Sequence, residues 1–463
     1  MINRFTLLAV CLLVPLAGAS IDADDDAPIK VGEKGEKIAA FAAGLDGQGF
    51  SGVVLAALDA KVIAAQGVSF ADTAKTIPNT PGTLFEIASL SKQFTAAGLL
   101  RLAQDGVLTL DDPLHTRLPG VPDDCKAITL RHLLQHTSGI PGANSRGSGF
   151  DLERVLPSFL RGGPRHTPGT HWEYWNQGYA LAAEVMTRTS GRDFPDSLKV
   201  AIFRRAGLHS ACFTGDAVEP TRVVSVGQSV HGPARGALEH PYGEFGFQYR
   251  GMGGVVISAM DLWRWDRSLE TDAVLDAKAR EAFFTPGPGN YALGWFVRTN
   301  EKGRLTQSHG GGVRGFVCEM RRFPSHQACI IVLANRDDAP VRDVANAIEQ
   351  ILFDEPLTWL SPPDEKLSRE LVGEYESTAR PGVMLLISLH GNAVQAWIDW
   401  SGRVTRGKIG LDGAGGLVFS DSRDQTKVTL SRDANGVVVS IALGELMTFT
   451  RKASHTPETP APR

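Results

Sequence analysis

The sequence predicts an α+β fold: an α/β sandwich in which helices cover an antiparallel sheet, followed by a second, small all-β domain resembling a barrel. Hairpin-like strands come first, over residues 50–72, helix-rich segments fill the middle, and strands return over residues 291–335. The early and late strands can pair in one sheet, while the segments between them form a helical subdomain. The chain is also too long for one hydrophobic core, so we expect it to divide.

The division is predicted at a proline-rich linker, residues 356–366, which separates a larger domain, residues 20–355, from a smaller one. Residues 367–452 consist of short alternating strands separated by turns, a pattern typical of a small antiparallel barrel or sandwich. Two roles stay open for this second domain. In the first, the domain is structural: it adds stability or packs beside an active-site rim without touching substrate. In the second, it takes part in function. Residues 453–463 have the composition of a disordered tail.

The first residues of the chain, 1–19, have the features of a signal peptide. Arg4 precedes an apolar run, and small residues at Ala17 and Ala19 fit a cleavage site. We therefore predict export, to the periplasm or the extracellular space. The apolar run is too short for a stable membrane span, and a formal net charge of −4 gives no basic surface for nucleic acid. The expected partner is a small-molecule or peptide substrate, including fragments of the cell wall, and the oligomeric state stays open.

Ser89 and Lys92 form the only Ser-x-x-Lys sequence in the 463 residues. The residues that follow are good helix formers with recurring apolar positions, and Gly106 can end the helix. Residues three apart share one helix face, so the hydroxyl and the amine can meet there. An amine whose pKa is lowered by burial can take the hydroxyl proton and create a nucleophile. Taken alone, the pair also fits a helix cap followed by a solvated lysine.

Two further short motifs follow along the chain. Tyr174-Trp175-Asn176 is the only Tyr-x-Asn sequence, and His309-Gly310-Gly311 is the only His-x-Gly sequence. Each has a simple structural interpretation, since the tyrosine can pack in the core and the glycines can form a bulge. Their order and separation in one chain indicate instead an active site assembled from distant segments.

In this order, the motifs SLSK, YWN and HGG are similar to the active-site motifs of the penicillin-recognising serine hydrolases. That family includes class C β-lactamases, DD-peptidases, D-aminopeptidases and β-lactamase-like esterases. Other segments resemble it too, among them TLRHLLQHTSGIPG, GMGGVVISAMDLWRW and YALGWFV, and the similarity runs from about Gly49 to Asn335. The resemblance implies the sandwich fold predicted above, with the active site where the sheet meets the helical subdomain. Accessory β-barrels occur in some members.

The resemblance also implies a reaction. Ser89 is expected to attack the carbonyl of an amide, lactam or ester and to form an acyl-enzyme. Lys92 and Tyr174 are expected to share the proton transfers. Which of them is the base stays open, because coupled groups titrate as a pair.

The remaining residues of the motifs are expected to bind substrate. Asn176 orients the lysine and binds a substrate amide, while His309 and Gly311 belong to the strand that holds the substrate. The oxyanion needs two backbone N–H donors, which family geometry places on Ser89 and Gly312.

The third motif departs from the β-lactamase pattern, which has lysine where this chain has His309. Because an unperturbed histidine has a pKa of about 6.5, we expect weak binding of anionic substrates, or binding mainly in mildly acidic conditions. The change favours a peptidase or aminopeptidase over an efficient β-lactamase. Arg314 could replace the missing charge, although a solvated position at a strand end is the simpler expectation.

Other kinds of site are not supported. The pattern G-x-G-x-x-G over residues 310–315 is followed by strand-like sequence where a dinucleotide site requires a helix. Four histidines lack metal-ligand spacing and are predicted to be structural; these are His132, His136, His166 and His171. We therefore predict no cofactor and no metal. Cys318 and Cys329 flank an apparent hairpin, and both a disulfide and two buried thiols are compatible with their positions.

Three functions remain. The first is a secreted serine hydrolase acting on D-amino acid peptides, esters or β-lactams. The second is a penicillin-binding sensor that is acylated at Ser89 and deacylates slowly. The third is a catalytically silent binding module, which the presence of every motif residue argues against.

Overall fold

The computed structural model describes residues 25–46, 48–229, 232–390, 393–402, 404–412, 415–421, 425–445 and 447–452. The predicted signal peptide and the predicted tail therefore lie outside the described residues. Within the described part of the chain, no helix has both the length and the apolar character needed to cross a membrane.

The larger domain is built on a seven-stranded antiparallel sheet with the strand order β1-β3-β2-β12-β11-β10-β9. Its strands are β1 (Ile29–Lys30), β2 (Gly52–Leu58), β3 (Lys61–Val68), β9 (Phe296–Thr299), β10 (Leu305–Val313), β11 (Phe316–Phe323) and β12 (Ala328–Ala334). Strands β2 and β12 are joined in a register that pairs Val53 with Leu333. The early hairpin and the late strands therefore share one sheet, as predicted.

Short strands form two smaller sheets, one ordered β4-β8-β5 and the other made of β6 and β7. They are β4 (Phe85–Glu86), β5 (Cys212–Phe213), β6 (Val226–Ser229), β7 (Gly232–Gly236) and β8 (Val255–Ile257). Strand β4 immediately precedes Ser89, so the small sheet holds the segment that leads to this residue.

Helices cover both faces of the main sheet. They are α1 (Gly32–Ala43), α2 (Ser91–Gln104), α3 (Leu114–Arg117), α4 (Leu130–Leu134), α5 (Leu152–Phe159), α6 (Asn176–Ser190), α7 (Phe194–Leu198), α8 (Ala259–Ser268), α9 (Ala277–Phe284) and α10 (Val341–Leu352). A further helix, α11 (Glu365–Leu371), packs against the core of the C-terminal domain instead. Helices α1 and α10 lie on one face, and the helical subdomain lies on the other.

The side chains of the central strands divide between two cores because successive residues point to opposite faces of a sheet. In β12, Ile331 and Leu333 enter the core of the helical subdomain, while Ile330 and Val332 enter the core beneath α1 and α10. A strand covered on both faces has an almost continuous apolar sequence, which explains the run CIIVLA.

The C-terminal domain is a closed barrel of eight strands, each paired antiparallel with the next, with β13 also pairing β20. The strands are β13 (Gly373–Ser377), β14 (Met384–His390), β15 (Ala393–Asp399), β16 (Val404–Leu411), β17 (Leu417–Asp421), β18 (Gln425–Arg432), β19 (Val438–Leu443) and β20 (Met447–Arg451). Closing the barrel pairs the backbone N–H and C=O groups that the edge strands of an open sheet would expose. The predicted fold class is confirmed, and the second domain is a closed barrel.

The cysteines considered for a disulfide are buried free thiols. The strand register pairs Cys318 with Leu333 and Cys329 with Arg322, so the two cysteines are not cross-strand partners. Of the two alternatives left open by the sequence, free thiols are the one observed.

Candidate active site

Ser89 lies at the junction between the small sheet and α2. It is the middle residue of a 3₁₀ turn, Ala88–Leu90, that leads directly into the helix. Ala88 has a φ of 43°, a conformation that L-residues rarely adopt and that is frequently found at functional sites. Ser89 is partly exposed although its neighbours are buried. The turn therefore presents the hydroxyl to solvent at the positive end of the helix dipole.

Lys92 lies behind this hydroxyl, one turn further along the helix. Its side chain is fully buried, and Nζ donates to Ser89 Oγ at 2.9 Å and to the carbonyl of Met252 at 3.2 Å. Burial lowers the pKa of the amine well below its usual value, because a desolvated ammonium is unfavourable. The structure thus brings together the two residues of the first motif, as their spacing predicts.

Tyr174 lies beside both residues, and its ring centroid is 5.0 Å from Lys92 Nζ. Burial raises the pKa of the phenol to about 12, and a hydrogen bond with Ser89 acts in the opposite direction. The phenol is therefore protonated at neutral pH and can donate a proton. The hydroxyl, the amine and the phenol form one contiguous cluster.

His136, which the sequence predicts only to be structural, is buried and packs against this cluster. Its side chain is buried, its ring centroid is 4.2 Å from that of Tyr174, and Nδ1 accepts a hydrogen bond from the backbone N–H of Trp175 at 3.2 Å. It has a φ of 57°, unusual for a side-chain-bearing residue. The segment TLRHLLQHTSGIPG carried the only available signal, which was its resemblance to the family.

Asn176 is the first residue of α6 and is half-buried. In the described part of the chain, the hydrogen bonds of Lys92 go to Ser89 and Met252 rather than to Asn176. The expectation that Asn176 orients Lys92 stays a prediction. Its expected contact with a substrate amide stays a prediction.

His309 is buried in β10 with its ring fixed on both sides. Tyr291 Oη lies 3.0 Å from Nε2, and the carbonyl of Gly310 lies 2.6 Å from Nδ1. Burial lowers the pKa of His309 to about 3, and the charge of Arg342 acts in the same direction. The imidazole is therefore neutral in mildly acidic as well as neutral conditions. Of the two expectations for His309, this lowered pKa agrees with weak binding of anionic substrates rather than with binding mainly in mildly acidic conditions.

The glycines after His309 form an open strand edge beside Ser89. Strand β9 pairs with β10 only from Leu305 to Ser308, so in the described chain the stretch from His309 to Val313 has no strand partner on that side. A Cβ on Gly311 would overlap the carbonyl of Ile87. Glycine is therefore required for β10 to approach the turn that carries the serine.

These residues line a cleft of about 620 Å³ that contains Ser89, Tyr174, His309 and the glycines of β10. Two of the described lining residues, Arg342 and Asp343 at the start of α10, carry a guanidinium and a carboxyl group. The Arg342 side chain is 80% exposed. Arg314, the cation suggested by the sequence, lies in the turn after β10, outside the lining of the cleft.

The segment before Ser89 is anchored by a buried ion pair. Glu86 receives hydrogen bonds from the Arg235 guanidinium and from Tyr249 Oη, and all three side chains are buried. Removing one partner of such a pair leaves an uncompensated buried charge. The contact therefore fixes β4, and with it the 3₁₀ turn, against β7. No sequence pattern marks this pair.

The histidines predicted to be structural have local roles. His132 completes a capping box with Thr129 at the start of α4, and the rings of His166 and His171 stack with centroids 4.0 Å apart. The described residues contain no group of three or more His, Cys, Asp or Glu side chains arranged to hold a metal ion.

The fold and the cleft define a β-lactamase-like hydrolase domain followed by a closed barrel. A profile of the Beta-lactamase family matches residues 38–354, and the chain belongs to that family. Penicillin-binding protein 4* of Bacillus subtilis (strain 168) is 30% identical over 348 residues, covering 70% of this chain and 76% of the relative.

Two further comparisons agree with this assignment. A D-aminopeptidase of Gluconobacter oxydans (strain 621H) is 29% identical over 309 residues, covering 63% of this chain and 57% of that protein. The octameric penicillin-binding protein homologue from Pyrococcus abyssi matches with a TM-score of 0.63 at 19% identity, covering 90% of this chain and 99% of that chain. The family is a hydrolase family with aminopeptidase relatives.

Proposed function

We propose that this protein is an exported serine hydrolase that forms an acyl-enzyme at Ser89 on D-amino acid peptides, amides or esters. The observation that carries the proposal is the 2.9 Å hydrogen bond between Lys92 Nζ and Ser89 Oγ, made in a buried site that disfavours the ammonium. Export rests on the sequence of residues 1–19, and the D-amino acid substrates are suggested by the D-aminopeptidase relatives.

In the proposed reaction, Lys92 acts as the base. Its neutral amine takes the Ser89 proton as Oγ attacks the substrate carbonyl, which becomes a tetrahedral oxyanion. Tyr174 has a raised pKa and gives its proton to the leaving nitrogen or oxygen while it receives the proton held by Lys92. The bond to the leaving group breaks, and the acyl-enzyme remains. Water then attacks the acyl-enzyme ester at Ser89, and the proton transfers run in the reverse direction.

The strand edge beside Ser89 supports a role in binding the reacting carbonyl. The backbone N–H groups of Ser89 and Gly312 are proposed as the oxyanion donors, and Gly312 is part of the cleft lining. Arg342 is proposed to bind a substrate carboxylate, since neutral His309 cannot supply that charge.

The proposal is tested with a substrate panel and an acylation probe. The panel contains D-alanine p-nitroanilide, a D-alanyl-D-alanine peptide with its C-terminal amide counterpart, nitrocefin and p-nitrophenyl acetate. We expect turnover of the D-amino acid substrates, slow turnover of nitrocefin and labelling by fluorescent penicillin. A stable adduct without turnover would instead support the sensor, and no labelling together with no turnover would support the silent module.

The pH dependence tests the assignment of His309. Because its pKa is lowered to about 3, His309 changes charge only well below pH 5. We expect the ratio of kcat/KM for the peptide with a free carboxylate to that for its amide to stay constant between pH 5 and pH 8. A ratio that rises as the pH falls through about 6.5, the ordinary value for histidine, would show that His309 carries the binding charge.

A further inference from the structure

A cavity of about 600 Å³ lies between the catalytic domain and the barrel. Helix α10 and the linker form one wall, which includes Asn346 and Trp359, and strands β15 to β17 form the other. Pro340 and Asp343 line both this cavity and the cleft of Ser89. The two spaces therefore adjoin at the first turn of α10.

The barrel wall of the cavity is a row of cross-strand neighbours. Gln395 pairs with Lys408, and Lys408 pairs with Ser420, so their side chains share one face of the sheet. All three line the cavity. The Lys408 ammonium makes an ion pair with Asp343 at the boundary with the cleft.

This wall is held in place by the linker. The backbones of Ser361 and Leu411 exchange two hydrogen bonds of 3.0 and 2.7 Å, and Gln425 Nε2 donates to the carbonyl of Thr358 at 3.2 Å. These contacts, together with the ion pair of Lys408, join the linker and α10 to the barrel. The two walls of the cavity are therefore joined directly by hydrogen bonds and an ion pair.

The lining combines amide and apolar groups. Asn346 and Gln395 provide side-chain amides, and Trp359 and Leu360 provide apolar surface. Trp359 is supported by Phe41, whose ring meets it edge-on with centroids 5.1 Å apart. Such a surface suits a peptide, whose backbone amides and side chains alternate. The volume is in the range of ordinary ligand sites.

We propose that this cavity is an extended subsite, in which the part of a peptide substrate remote from the scissile bond binds against the barrel. The inference rests on the proposed function, because it takes the cleft of Ser89 as the place of reaction. It gives the barrel a direct part in choosing substrates. Peptides long enough to pass Pro340 and Asp343 are bound better than short ones.

The test fills the cavity after the protein has folded. Gln395→Cys places a thiol in the cavity, while the cysteines of the described chain are buried and therefore react slowly. The variant is treated with a small methylating or a large benzyl methanethiosulfonate reagent. Thr429→Cys, at an exposed position of β18, is treated in the same way as the matched control.

Kinetics are measured on two series of D-alanyl peptides of one to five residues, one extended on the acyl side and one on the leaving-group side. In the unmodified protein, kcat/KM should rise with length in one series. The benzyl adduct at Gln395→Cys should raise KM for the longest peptide about tenfold, equivalent to about 1.4 kcal/mol of binding. The same benzyl adduct should leave KM for the shortest substrate unchanged. The methyl adduct at Gln395→Cys and both adducts at Thr429→Cys should leave KM unchanged for short and long peptides alike.

Two results would overturn the inference while leaving the proposed function intact. One is turnover of short substrates without any gain from length in either series. The other is a gain from length that survives the benzyl adduct, with complete labelling verified by mass spectrometry. An absence of turnover on every substrate, long or short, would instead count against the proposed function.

Discussion

Ser89→Ala is expected to lower kcat on every substrate by roughly 10⁴-fold or more, because it removes the only atom proposed to form the acyl-enzyme. The free energy of unfolding should change by about 1 kcal/mol, since Ser89 is partly exposed and the variant loses its side-chain hydrogen bonds with Lys92 and Tyr174. The measurements are steady-state kinetics, labelling by fluorescent penicillin and urea denaturation. Labelling should disappear together with turnover.

Ser91→Ala is the matched control two residues away. Ser91 is buried, and its Oγ accepts a hydrogen bond from the backbone N–H of Val255 at 3.1 Å. Its loss leaves a buried donor unsatisfied, which costs about 1–3 kcal/mol, but removes no reacting atom. We expect lower stability with labelling retained in the folded protein. If Ser89→Ala kept more than a tenth of the wild-type activity, Ser89 would not be the nucleophile.

The arrangement of the main cluster was predictable because three local motifs occur in one chain in the order that the family shows. Spacing alone places the hydroxyl of Ser89 and the amine of Lys92 on one helix face. The apolar run of β12 and the hairpin at the start of the chain were enough to predict the central sheet. The rest of the cluster followed from the order of three short motifs rather than from any physical rule about residues that lie far apart.

What the sequence could not reveal depends on contacts between distant segments. The charge state of His309 is set chiefly by its burial, which is not visible in the motif. The cation of the cleft is Arg342, which lies 33 positions after His309 in a helix with no recognised motif. Position in the fold, not residue type, decides which of the two arginines lines the cleft.

Tyr174→Phe is expected to lower kcat by about 10²–10⁴-fold, the usual contribution of a positioned acid or base, with little change in KM. The phenol touches Ser89 and lies beside Lys92, and a phenyl ring keeps its packing against His136. Stability should therefore change by no more than about 1 kcal/mol. Pre-steady-state kinetics on an ester with a good leaving group and on an amide with a poor one make the test specific. The rate for the amide should fall further than the rate for the ester, because the leaving nitrogen of the amide needs a proton.

The matched control is Tyr179→Phe, which removes a phenol from the same region. Tyr179 is buried, and its hydroxyl donates to the carbonyl of Leu134 at 2.6 Å, so the variant leaves that acceptor unpaired and should lose about 1–3 kcal/mol of stability. Its activity per folded molecule should remain near that of the wild type. The two tyrosines thus separate proton transfer from packing. If Tyr174→Phe kept normal kinetics on the amide, the proton would have to reach the leaving group by another route, and Lys92 alone would account for both transfers.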